Sequence, residues 1–587
     1  MNDDRKAGRP QRTPRGTGGS GARRAAADGR EVPVPDGLSA DLLNAAVAAT
    51  AQLLTFTQPA DAALSAFFRA RRSGGKDRAF IAETAYAVLR RKRLLERLAA
   101  CGPNLEPAFL APGATPKRAP KTAGLLRISP RELVLLSLSR VRGMSQRQLE
   151  GALLPGEAEW LAEIRRQPEP ELTPAEQLDF PDWLVDRLAP RMSAEDLLAL
   201  ARALNTPAPL DLRVNTLKAE PAAVIARLAA DGIVAMPTPF SPLGLRLKTK
   251  PYLAKHPAYL DGSIEVQDEG SQLLGFLLQP KRGEMVVDFC AGAGGKTLIL
   301  GAMMRSTGRL YAFDVSDKRL AKLKPRAARA GLSNVHPACL SGENDARVKR
   351  LQGKVDRVLV DAPCSGLGTL RRNPDLKWRQ SPQSVDELRA KQAAILAAAA
   401  KLLRPGGRLV YATCSILAEE NEDIVNAFLA AHADYHRLSA RDVLAAQGIA
   451  IDCGEDMRLA PPTQGPDGFF AAVLERAKCA STLARPPAAT QGHLLFMGAG
   501  GVSRSTAPRR RSRPAGQSQP WDGGWGDCRC LLLLRCFSAQ QQSARALRRF
   551  LQPVASKSCL RPGTMPRAPS CAPWARRGAA SMSRPTC

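Results

Sequence analysis

The chain has 587 residues and a formal net charge of +30. That length exceeds what one hydrophobic core supports, so several domains are expected. The charge argues against acidic proteins or neutral metabolites as main partner and for a polyanion such as nucleic acid, although +16 of it lies in residues 478–587, where 18 Lys and Arg stand against Asp522 and Asp527.

Residues 1–37 are rich in Arg and Gly, contain no apolar stretch of a signal peptide, and read as a disordered basic arm. From 38 to 170 the stretches ADLLNAAVAATAQLL, PADAALSAFFRARR, DRAFIAETAYAVLRRKRLLERL and PRELVLLSLSRV carry apolar residues at three- and four-residue intervals. They predict an all-helical domain, interrupted by a Pro/Gly-rich loop at 102–124. Its basic run RRKR (90–93) is either a solvated face or an RNA contact. Residues 171–265 mix helical pieces with short strands, LDLRVNTL (210–217) and LRLKT (245–249), and form a small α/β connector.

From 266 to 477 strands and helices alternate. EMVVDFC (284–290), RLYAFDV (309–315), NVHPACL (334–340), DRVLVDAP (356–363), RLVYATC (408–414) and GFFAAVLER (468–476) read as strands. The helices between them predict a doubly wound α/β sheet. Pro325 is expected to kink its helix or end it early. Ser384 and Glu387 suggest a capping box for a helix over 385–403, with RPGG as its stop, and EENEDIVNAFLAAH places four acids in a helical first turn. Residues 478–587 show no periodicity and read as a disordered or out-of-frame basic tail.

Of 13 cysteines, six lie in the body: Cys101, Cys290, Cys339, Cys364, Cys414 and Cys453. Their wide spacing, with no CxxC pair or companion histidines, argues against a metal site and against a disulfide framework. No apolar run approaches membrane-spanning length, and a reducing, cytoplasmic setting is expected.

CAGAGGKT (290–297) joins a strand to a helix, where α/β folds hold nucleotide-like ligands. A Walker A loop would need Gly at Cys290, and a dinucleotide loop starting at Gly292 would need Gly at Thr297. What remains is a glycine loop that lets backbone approach a ligand, as in a class I methyltransferase binding S-adenosylmethionine. Asp314, ending the next strand, is then placed to accept hydrogen bonds from ribose hydroxyls. A plain strand–helix turn is the alternative. Cys364 and Cys414 each follow a strand at the same ligand-binding edge. A free cysteine is most often a small core hydrophobe; two at one edge can instead be a reacting pair, and their order of action is open from the residues alone.

FCAGAGGKT (289–297), VDAPCSGLGTLRRNPDLKW (360–378), VYATCS (410–415), EENE (419–422), EVQDEGSQL (265–273) and DGFF (467–470) together resemble the RsmB/Nop2/Sun family of RNA 5-methylcytosine methyltransferases. The resemblance covers about 170–476 and, more weakly, the helical region, which is similar to the NusB-like domain of bacterial rRNA members. It implies a class I Rossmann-like methyltransferase domain, S-adenosylmethionine as cofactor, and transfer of methyl to cytidine C5 through a Cys–C6 adduct. Cys414 would be the nucleophile, Cys364 would aid adduct release, and Asp361 would position the base and lie near the cofactor. Cofactor contacts would fall on Cys290, Ala291, Gly292, Ala293, Gly294, Gly295, Lys296, Asp314 and Asp345. Cys339 and Cys453, with the Cys290 side chain, would be structural. The implied partner is rRNA of the small subunit, bound by a monomer through the helical domain, the connector and RRNPDLKW (371–378). A non-catalytic assembly factor on this fold, a tRNA enzyme and a small-molecule methyltransferase are the alternatives.

Overall fold

The computed structural model describes residues 35–102 and 128–478. The basic arm to residue 34, the greater part of the 102–124 loop and the tail from 479 fall outside the described residues.

The N-terminal region is helical. Ser39 caps the helix Ala40–Leu53 by accepting from the Leu42 amide, and Leu43, Ala46, Ala49 and Leu53 point inward. The stretch 77–98 divides into two helices, Gly75–Arg90 and Lys92–Cys101, with the break at Arg91. Asp179 receives the Leu94 amide at that break and pairs with Arg91. A Ser129/Glu132 capping box with Pro130 in the first turn starts the helix Pro130–Leu136, which runs on into a π-helical turn, Ser137–Val141.

The connector holds four antiparallel strands, β1 (Leu210–Val214), β2 (Ala235–Pro237), β3 (Gly244–Leu247) and β4 (Ile264–Val266), in the order β2-β3-β1-β4. Alternation along the strands divides its two faces. Leu212, Val214, Leu245, Leu247 and Ile264 pack with Val224 and Leu228 of the helix Pro221–Ala230. The opposite face carries the register pairs Asp211–Arg246 and Arg213–Glu265.

The large sheet domain is built on β5 (Met285–Asp288), β6 (Arg309–Asp314), β7 (Val335–Cys339), β8 (Val355–Asp361), β9 (Leu403–Thr413), β10 (Tyr435–Leu438), β11 (Met457–Leu459) and β12 (Phe469–Arg476). The order is β10-β12-β9-β8-β5-β6-β7, with β11 beside β12. β5 to β9 are parallel, and β12 runs antiparallel to β9. Val358 and Val360 of β8 enter the core on one face while Leu359 enters the core on the other, as a sheet covered on both sides requires. The strand order reverses between β5 and β8, so the crevice for a ligand opens at their carboxyl ends.

Three local readings change. The helix Asp317–Ala330 continues through Pro325, secured by buried Leu320, Leu323, Ala327 and Ala330, and ends at Gly331 in the left-handed region. The helix placed at 385–403 is Pro382–Ala400, capped one turn earlier by Ser381, with Ser384 as the reciprocal partner; RPGG belongs to β9. Of the four acids in EENED (419–423) only Glu422 and Asp423 lie in the first turn of the helix Glu422–Ala431; Glu419 and Glu420 lie in a preceding 3₁₀ turn in which Glu420 is fully buried.

RRNPDLKW, expected at an RNA surface, and RRKR, read as a solvated face or an RNA contact, both have their polar groups taken up within the fold. Lys377 is fully buried; its Nζ donates to the Arg90 carbonyl (2.9 Å) and to Asn205 Oδ1 (2.7 Å). Trp378 packs on the helical core and donates Nε1–H to the Leu89 carbonyl. Asp375 receives the Ala60 amide. Arg372 pairs with Asp268 and Asp467, and Arg91 and Arg93 pair with Asp179 and Asp182. Burial lowers the Lys377 ammonium to about 7 against the pull of Asp179. The segment after Cys364 therefore ties the helical region to the sheet.

Candidate active site

Every residue singled out in the sheet domain lies at one edge. Asp288, Asp314 and Asp361 end β5, β6 and β8, and the two thiols follow β8 and β9. In the β8–β9 register Asp361 faces Ala412, so three further residues on one strand and two on the other bring Cys364 and Cys414 together. Their sulfurs are 3.3 Å apart, and both side chains are half-buried. The backbone of Cys414 is fixed from the side: its carbonyl accepts from Gly368, whose own carbonyl accepts from Gly468. A Cβ on Gly368 would stand 2.1 Å from the Gly468 oxygen and 2.8 Å from the Cys414 oxygen, so only glycine fits there.

Two thiols this close cannot both be ionised at little cost. The hydrogen bond with Cys414 and burial push the Cys364 thiol well above the ordinary range, and the charges of Cys414 and Glu420 add to this. Beside the pair, Lys296 Nζ lies 2.7 Å from Asp361 Oδ2 and 5.7 Å from the Phe469 ring centroid. Burial disfavours the charge on Lys296, but Asp361 outweighs it and holds the ammonium above the usual lysine value. The site thus pairs one proton-retaining sulfur with a second sulfur beside a permanent cation.

The glycine loop is held from both sides. Gly294 has φ +89°, and a Cβ there would meet Leu323 Cδ1 at 2.1 Å. Arg326 donates to the Ala293 carbonyl (2.7 Å). The connector's polar face reaches the same loop: buried Arg213 donates to the Gly295 carbonyl (3.1 Å) and to Gln267 Oε1 (2.6 Å), and Gln267 Nε2 also donates to Gly295. Glu265 anchors Arg326 and Arg329. Nothing local in the chain marks this hold, because its partners are far apart in sequence. Gly292 and Gly295 have nothing nearer than 3.8 Å where a Cβ would sit, so a ligand can approach the backbone there.

Asp314 is buried and accepts from the Gly292 amide (2.9 Å), the Ser316 amide and Arg319. Next to it Val315 is 54% exposed, an apolar surface that the sequence reading passed over. An acid acceptor, an apolar patch and an open glycine backbone fit the ribose, the base and the amino-acid moiety of S-adenosylmethionine. Asp345 lies apart from the thiols in the β7 loop; it caps the short helix Ala346–Arg350 and receives the Ser341 and Arg347 amides, which hold its carboxyl below the usual range. Burial and the carboxylates Asp288, Asp361 and Asp314 push the Cys290 thiol up, which suits a structural side chain. Cys453 is buried in the core, and Cys339 lies at the end of the edge strand β7. Among the described residues no group of His, Cys, Asp or Glu is arranged for a metal, and no helix is long and apolar enough to cross a membrane.

Asp288 is fully buried, accepts from Thr297 Oγ1 (2.7 Å) and leaves Oδ1 without a partner. Burial raises its carboxyl to about 7. A carboxyl raised in the fold stabilises while protonated and loses that contribution as pH climbs toward its folded value. Asp288→Asn, which fixes the neutral shape, is expected to remove this dependence. Denaturation midpoints should show the parent losing on the order of 2 kcal/mol relative to the variant between about pH 5 and about pH 8. A constant difference across that range would refute the assignment.

The strand order, the glycine loop after β5 and the acid after β6 define a Rossmann-like methyltransferase. A family model described as 16S rRNA methyltransferase RsmB/F matches residues 275–475, and one for the ferredoxin-like domain of RsmF/B-like methyltransferases matches 180–252. The chain is 36% identical over 305 residues to the probable ribosomal RNA small subunit methyltransferase B of Synechocystis, covering 51% of this chain and 68% of the relative. It is 33% identical over 413 residues to ribosomal RNA small subunit methyltransferase B of Sodalis glossinidius, covering 68% and 90%. The solved structure of PH0851 superposes with a TM-score of 0.60 at 25% identity, over 75% of this chain and 99% of that one. The chain belongs to the RsmB/Nop2/Sun family of S-adenosylmethionine-dependent methyltransferases.

Proposed function

We propose that the protein methylates C5 of a cytidine in small-subunit rRNA, with Cys414 as nucleophile, Cys364 as the residue that releases the product, and Asp361 as the residue that positions the base. The observation that carries this reading is the 3.3 Å approach of the two sulfurs beside the Lys296–Asp361 pair. The rRNA substrate is supported by the names of the relatives.

Cytosine C5 is a weak nucleophile. A thiolate at Cys414 adding to C6 places electron density on C5, which then takes the methyl group; S-adenosylmethionine supplies that group as an electrophile. Once Cys414 is a thioether its charge no longer acts on Cys364, so the Cys364 proton is more easily lost to solvent. The Cys364 thiolate then takes the C5 proton, the C5–H electrons form the C5=C6 bond, and Cys414 leaves as thiolate. Asp361, held by Lys296, accepts from the exocyclic amine of the base. Gly292 to Lys296, with Cys290, Ala291 and Asp314, line the cofactor's place, and Asp345 closes its far side. The target base must be single-stranded or turned out of its stack, because C6 is hidden in a helix. The helical region 38–170 and the connector would serve as the RNA-binding parts of a monomer working in the cytoplasm.

The test is incubation of the full chain with an unmodified 16S rRNA transcript and methyl-labelled S-adenosylmethionine, followed by bisulfite sequencing. Label in RNA and a bisulfite-resistant cytidine are expected. Label on another atom or base, or none, overturns the proposal.

A further inference from the structure

The buried carboxylate of Glu420 enters the account above only through its charge on the Cys364 thiol. No ion pair is made to it among the described residues; its charge is met by four hydrogen bonds from neutral donors. A carboxylate buried this way costs stability compared with an apolar side chain, so its location calls for a reason. Its donors are the residues that follow the two thiols. Ser365 gives its amide to Oε1 (2.8 Å) and its hydroxyl to Oε2 (2.5 Å), Ser415 gives its hydroxyl to the same Oε2 (2.5 Å), and Gln392 Nε2 donates to Oε1 (3.0 Å). The two serine hydroxyls are themselves 3.2 Å apart.

The two thiols do not depend on this carboxylate equally. Cys414 directly follows a strand flanked by β8 and β12, its carbonyl is held by Gly368, and Asn421 holds both Thr413 Oγ1 and the Ser415 carbonyl. Cys364 lies in an irregular turn. That turn is fixed by Ser365 on Glu420, by Gln392 on the Pro363 carbonyl and by Gln380 on the Ser365 carbonyl, and Gln392 is itself held by Glu420.

We propose that Glu420 is a positioning residue that sets the Cys364 thiol against the Cys414 site, so that its loss slows product release far more than nucleophilic attack. The inference rests on the thiol roles proposed above. It is tested with the full chain on two 16S rRNA transcripts, one ordinary and one carrying 5-fluorocytidine, whose C5 fluorine cannot leave as a proton and so traps the adduct. For Glu420→Ala, turnover on ordinary RNA should fall about tenfold or more while trapping on fluorinated RNA changes by less than about threefold. A denaturant-stable protein–RNA complex should accumulate on ordinary RNA, and Glu420→Gln should restore part of the turnover. Ser365→Ala, which spares the buried acid, should show the same pattern more weakly, and Ser415→Ala should not. Trapping that falls in step with turnover, or absence of the stable complex for both Glu420→Ala and Ser365→Ala, overturns the inference. Failure of the unsubstituted chain to be trapped at all overturns the C5 reading instead.

Discussion

Cys414→Ala is expected to abolish methyl transfer, lowering turnover by about 10⁴-fold or more, because in the proposed mechanism this sulfur activates C5 by adding at C6. Lys296 and Asp361 belong to the floor of the site and do not depend on this sulfur for their pairing. Binding of S-adenosylhomocysteine, measured by calorimetry, should therefore change by less than about threefold. The decisive readout is the adduct: no denaturant-stable complex with 5-fluorocytidine RNA should form. Any adduct surviving in this variant would show that another residue attacks.

Cys364→Ala should have the opposite effect on the adduct. On the proposed roles, attack and methyl transfer precede the step this sulfur would serve, so one round of labelling should persist while multiple turnover falls by about 10²-fold or more. The protein should then remain joined to ordinary RNA and migrate as a stable complex in a denaturing gel. The close approach of the sulfurs gives this prediction a sharp alternative. If Cys364→Ala abolishes the adduct and Cys414→Ala accumulates it, the two roles are exchanged.

The sheet and its thiols were legible because their signals are local. Each strand is a short apolar run, each functional group sits directly after one, and the parallel register does the rest. The misreadings share a different cause. EENE looks like a helix start favourable to the dipole, yet Glu420 turns inward because two serines and a glutamine distant in sequence offer it donors. RRNPDLKW looks like an RNA contact and RRKR like a solvated face or an RNA contact, yet carbonyls of Leu89 and Arg90 and carboxylates of Asp179, Asp268 and Asp467 take up their polar groups. Ser384 has the form of a cap, but Ser381 followed by Pro382 meets the geometry a turn earlier. The connector's grip on the Gly295 carbonyl depends on Arg213, which nothing adjacent to it in the chain marks out. Tertiary partners decide such cases, and a linear reading sees residues without their partners.

The seat of the Trp378 indole against the Leu89 carbonyl bears on how this enzyme type diversifies. An N-terminal module exchanged for one from a relative would have to bring a matching notch for that ring, or the loop bearing Cys364 would lose its outer support.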